Sequence, residues 1–301
     1  SGGNYNVVVG DEAGTALTTG DGNTAIGFEA LVTEDAHGNN TAVGYRSLKT
    51  LNAGADGFNT AVGYQSGTSM TTGIENTLIG SLAGDALTNS DFNVAVGVNA
   101  LSTDTLGSRT VAIGRETLFA QNFTTATDTY NVAVGYRAGA AVTTGLKNTL
   151  IGGLAGDSLT TNGLNVAVGY GSLSTEDTGS RNVAIGVSAL SSQNADTTNY
   201  NVAVGYNAGS AVTTGIQNTL IGGLAGDALT DADGNVAVGR AALTTDTLGS
   251  QTVAIGSRAL NSQNFTTATD SYNTAVGADA GLSVTTGVEN TLIGGLAGDA
   301  I

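Results

Sequence analysis

Few residues in this chain are suited to chemistry. Among 301 residues there is one histidine, His37, and no cysteine, proline or tryptophan. His37 stands in the segment Glu34-Asp35-Ala36-His37-Gly38, with no serine or cysteine nucleophile context around it. Composition alone excludes a disulfide framework, a thiolate metal site and a multi-histidine metal centre. No enzyme is expected, and no catalytic, cofactor or metal-ligating residue is assigned. The acidic segments typified by Gly152 to Asp157 match calcium-binding nonapeptides neither in glycine position nor in period. Asp231-Ala232-Asp233-Gly234 is a lone cluster that parallel positions do not repeat.

Three other residue types recur in register. An asparagine appears every 17 residues or so, replaced by Thr110 and Thr252 in two places. It is expected to form a ladder in which stacked amides bond along an axis. Thr18, Thr71, Thr88, Thr143, Thr160, Thr213, Thr230 and Thr285 form a second column. A threonine array could present an ice-binding face, and ice binding is the alternative function; a solvated turn face is the plainer reading. Aromatic residues mark the third set, in four longer segments that hold Phe58, Phe123 to Tyr130, Tyr200, and Phe265 to Tyr272. Loops carry contacts more often than scaffolds do, and aromatics beside Thr and Asp suit glycans. The candidate surface contacts are therefore Phe58, Phe123, Tyr130, Tyr200, Phe265 and Tyr272.

The element that positions these columns is a repeat. The phrase Asn-[Val/Thr]-[Ala/Leu]-[Val/Ile]-Gly recurs seventeen times, from Gly10 to Gly294, mostly at a spacing of 17. A period so short leaves no room for paired helices, and a β-branched, glycine-bounded phrase reads as a strand. The expected fold is all-β: a single parallel β-solenoid, or β-roll, over residues 1–301 with about seventeen rungs. Stacking at ~4.8 Å would make it a rod on the order of 80 Å long. Both faces of the strand are apolar, so both should be buried. One lines the roll; the other needs a cover, most simply the same strand of another copy. After the closing glycine, a small residue at the third position reads as a second inward strand site. At the fourth position Leu and Gly alternate in pairs, and the seventh position compensates: Asp104, Glu176 and Asp246 with Leu, Met70, Leu87, Val142 and Leu159 with Gly.

Charge narrows the partners. The formal net charge is −16, from 25 acidic and 9 basic side chains, with 40% hydrophobic and 11% charged residues. The acids are expected at turns. Such a chain is a poor ligand for nucleic acid or an anionic membrane. No apolar run is long enough to insert in a bilayer. Neither end carries a polar cap, so the segment is expected to belong to a longer array.

Thr110-Val111-Ala112-Ile113-Gly114, Asn182-Val183-Ala184-Ile185-Gly186 and Thr252-Val253-Ala254-Ile255-Gly256 resemble the repeats of YadA-like trimeric autotransporter adhesin heads. Asn59-Thr60-Ala61-Val62-Gly63-Tyr64-Gln65-Ser66 is similar to repeats of phage and viral fibre proteins. The resemblance spans the whole chain. It implies a left-handed β-roll, a homotrimer, extracellular display on a bacterial surface or virion fibre, and attachment to a host glycan or protein receptor.

Overall fold

A computed structural model describes residues 2–300. The chain divides into two compact units, residues 1–148 and 149–301. Among the described residues there is no helix. The first unit stacks eight parallel three-residue strands: Val7–Val9, Thr24–Ile26, Thr41–Val43, Thr60–Val62, Thr77–Ile79, Val94–Val96, Val111–Ile113 and Val132–Val134. The second stacks nine, from Thr149–Ile151 to Thr291–Ile293. Within each unit, each strand pairs with the next in sequence, without offset: Thr41 faces Thr60, Ala42 faces Ala61 and Val43 faces Val62. These are β-solenoids with one strand per 17-residue turn.

Each strand is shorter than the five-residue phrase, and the rest of the rung is turn. The small residue three places past the glycine is buried, as expected, but in a turn rather than a second strand. Its N–H donates back to the closing glycine, as Ala30 does to Gly27 at 3.3 Å. The chain turns at three left-handed corners per rung, two and four residues after the glycine and just before the asparagine. In one rung these are Arg46 (φ 56°), Leu48 (φ 48°) and Phe58 (φ 49°). Most corners are not glycine, so glycine spacing does not mark them in the sequence.

The closing glycine is obligatory for another reason. It adopts φ near +135° and lies against the glycine of the next rung; a Cβ on Gly97 would come 2.5 Å from the Gly114 carbonyl oxygen. The asparagines form the expected ladder in each unit. A buried Oδ1 accepts the backbone N–H at the same position of the next rung, as Asn59 does from Asn76 at 3.0 Å; after Thr110 and Thr252, the Asn131 and Asn273 N–H groups donate instead to the Thr129 and Ser271 hydroxyls. Most of the amides also reach a carbonyl fourteen residues on, as Asn59 Nδ2 does to Gly73 at 2.9 Å, whereas Asn40 Nδ2 turns back to Gly38. Backbone polarity inside the roll is thereby satisfied by one repeated side chain.

Core volume is shared between rungs. In the strands Thr77–Ile79, Thr149–Ile151 and Thr219–Ile221 the inward residue is Leu instead of Ala. Its methyls occupy the space beside the glycine corners: a Cβ on Gly67 or Gly84 would come within 2.7 to 2.8 Å of Leu78. Where the inward residue is Ala, Leu48, Leu101 or Leu190 fills the space from its own left-handed corner. The Leu/Gly alternation is conserved packing volume.

Candidate functional site

Four of the aromatic candidates stand on one edge of the rung, just before the ladder asparagine. Phe58 and Tyr130 lie in the first unit, Tyr200 and Tyr272 in the second, all between 52% and 58% exposed. They recur every 70 to 72 residues. The left-handed corner turns each ring out of the roll. Charged groups stand near three of them. The Arg181 guanidinium lies 5.6 Å from the Tyr200 ring centre. One rung before Tyr130, Arg109 lies 4.9 Å over the Phe92 ring and pairs with Asp128. The Tyr130 and Tyr272 hydroxyls approach Asp128 and Asp270 at 3.5 and 3.4 Å.

The longer segments form small lobes beside these rings. Gly107–Ser108 pairs with Thr127–Asp128, and Gly249–Ser250 with Thr269–Asp270, so each lobe returns to register before the next asparagine. Thr124, Thr125 and Ala126 remain exposed at one tip.

Phe123 and Phe265 depart from the expectation. Both are 6% exposed and belong to the core, so they are not surface contacts. The reason is volume: the two longest rungs place Phe where the shorter insertions place the buried Ala53 and Ala195. The Phe265 ring lies against Gly249, where a Cβ would come 2.8 Å from it. The signal is in the sequence, as all four residues stand nine places after a closing glycine.

Four of the acids also depart from expectation. Glu34, Asp104, Glu176 and Asp246 are wholly buried rather than set at the surface of turns. Asp104 Oδ1 accepts the N–H of Gly107 at 3.1 Å and of Phe123 at 3.0 Å, while Oδ2 accepts Gln121 Nε2 at 2.6 Å. Gln121 Oε1 accepts Asn131 Nδ2 at 2.9 Å. Asp246 with Gln263, and Glu176 with Gln193, repeat this arrangement. Every one of these donors is neutral, and in Asp104 they engage both carboxyl oxygens. Each glutamine stands one 17-residue period after its acid, in the same column seven places past the closing glycine, so the repeat itself stacks the pair.

Glu34, Asp35 and His37 are the one group among the described residues whose atoms lie close enough to share a cation. Glu34 already accepts the backbone N–H of His37 at 3.2 Å and of Ala53 at 3.0 Å, with His37 Nδ1 3.5 Å away. Its role is to close the turn. Asp231 and Asp233 are likewise engaged, accepting from Thr214 Oγ1 at 2.7 Å and the Ile216 N–H at 2.8 Å. In the threonine column, Thr18, Thr88, Thr160 and Thr230 donate their hydroxyl protons to carbonyls one rung on, at 2.9 to 3.0 Å.

The outward strand face is the largest feature. Ile79, Ile113, Ile151, Ile185, Ile221 and Ile255 are each 38% or 39% exposed, in register from rung to rung within each unit. In the rungs of Ile26, Val43 and Val62, just past the closing glycine, Phe28, Tyr45 and Tyr64 stack with ring centres 5.4 and 5.3 Å apart. A continuous apolar strip differs in kind from the scattered hydrophobics of a monomer's surface.

No family model matches the chain, and neither a curated protein nor a solved structure matches it.

Proposed function

We propose that the chain is a non-enzymatic, adhesive element of an extracellular fibre, displayed on a bacterial surface or virion and assembled as a homotrimer. The single observation that carries the reading is the outward strand face: columns of Val, Thr and Ile, half exposed and uncharged in every rung. Covering it with the same face of other copies buries like against like without any new element. Attachment is assigned to the recurring edge of Phe58, Tyr130, Tyr200 and Tyr272, toward a host glycan or protein receptor. Repeated weak contacts of this kind gain strength by avidity. The threonine hydroxyls bonded within the roll give no support to ice binding.

Light scattering should return three times the chain mass of 29.6 kDa. Ile113→Lys, directed outward, should dissociate the assembly while leaving the β circular dichroism unchanged. A wild-type monomer of ordinary solubility would sink the reading.

A further inference from the structure

The first unit holds a cleft. Its volume is about 340 Å³, within the range of small-molecule sites, and Asn99, Glu116, Phe119, Arg137, Ala140 and Ala141 line it. It has a simple structural origin. Phe119, 42% exposed, stands five places after its closing glycine, and in the next rung the same position is Ala140. A large ring thus overhangs two methyl groups. The equivalent residues in the other long rungs are Lys49, Ser191 and Asn261, none aromatic.

The cleft is lined by charged groups. Glu116 is shared by two guanidiniums, with Arg115 at 2.9 Å and Arg137 at 3.7 Å. The cluster carries one net positive charge on a chain of net −16. Arg137 reaches Glu116 only at this longer distance, so its donor fork is free to take a second anion. The contrast is Arg258, which binds Asp279 through two nitrogens at 2.7 and 2.8 Å and is fully engaged.

We infer that this cleft binds an anionic monosaccharide, its carboxylate or phosphate on Arg137, its ring on Phe119 and a hydroxyl on Asn99. The site is separate from the aromatic edge and does not depend on it. Titration calorimetry of the whole chain with glucuronate, glucose 6-phosphate and glucose tests the inference. One of the two anions should bind and glucose should not; which anion binds identifies the group Arg137 prefers. Arg137→Gln and Phe119→Ala should each weaken binding at least about tenfold, and Arg258→Gln should leave it unchanged. Both cleft residues point outward, and unchanged circular dichroism would confirm intact rungs. Equal binding of glucose, no binding of either anion, or full binding by Arg137→Gln would overturn it.

Discussion

At the scale of the residue, close backbone approach and buried polarity set what can be changed. Gly97 is held by both its φ of +138° and the backbone of the next rung. Gly97→Ala should therefore lower stability by at least about 3 kcal/mol, seen as an earlier denaturant midpoint. Asp85 is the opposite case, an acid whose removal should help. Burial pushes its carboxyl up to about 6 from an ordinary 3.8. Its Oδ1 has no hydrogen-bond partner, whereas Asp227 at the equivalent position accepts the Thr244 hydroxyl. A carboxyl raised in the folded state favours folding below pH 3.8, and that contribution is lost as pH rises through about 6. Asp85→Asn should consequently stabilise the chain at pH 7, by no more than about 1–2 kcal/mol because the residue is only partly buried. The gain should vanish near pH 4, where the wild-type acid is protonated. Melting curves at both pH values check the sign.

At the scale of the element, each inserted lobe is divided between core and surface. Phe123 fills the widened rung, and its N–H also satisfies the buried Asp104. Phe123→Ala should cost about 3–5 kcal/mol by leaving a cavity. Tyr130, seven residues on and exposed, should tolerate alanine within about 0.5 kcal/mol while weakening attachment. Paired stability and cell-binding assays on the two variants would separate these roles; equal effects in both assays would merge them. The acid–glutamine pairs also act at this scale. Asp104→Asn replaces an acceptor facing Gln121 Nε2 with a second donor, while Gln121 Oε1 stays committed to Asn131. The mismatch should destabilise by roughly 1–3 kcal/mol, read as an earlier denaturant midpoint.

At the scale of the whole molecule, attraction and repulsion compete. The outward apolar columns favour association, while a net charge of −16 per chain opposes it. Screening weakens only the repulsion, so sedimentation should show the assembly gaining mass as salt rises from about 10 mM to about 500 mM. A mass that falls with salt would mean that ion pairs, rather than the apolar face, hold the copies together.

The sequence by itself determined the rung. Period, strand identity, inward and outward alternation and the asparagine ladder all follow from residues that repeat, because stacking places equivalent positions directly above one another. Even the exchange of Leu for Gly was legible as conserved volume. What only the tertiary structure decided lies where unlike positions meet. Left-handed corners at Leu48 or Phe58 carry no glycine to announce them, since their side chains are held by the core or by solvent after the turn is made. Phe123 and Tyr130 look equivalent in a lobe sequence, yet the width of the rung sends one inward and the other out. A repeat states what each position does with its own copies; contacts between different columns depend on how the rung is bent.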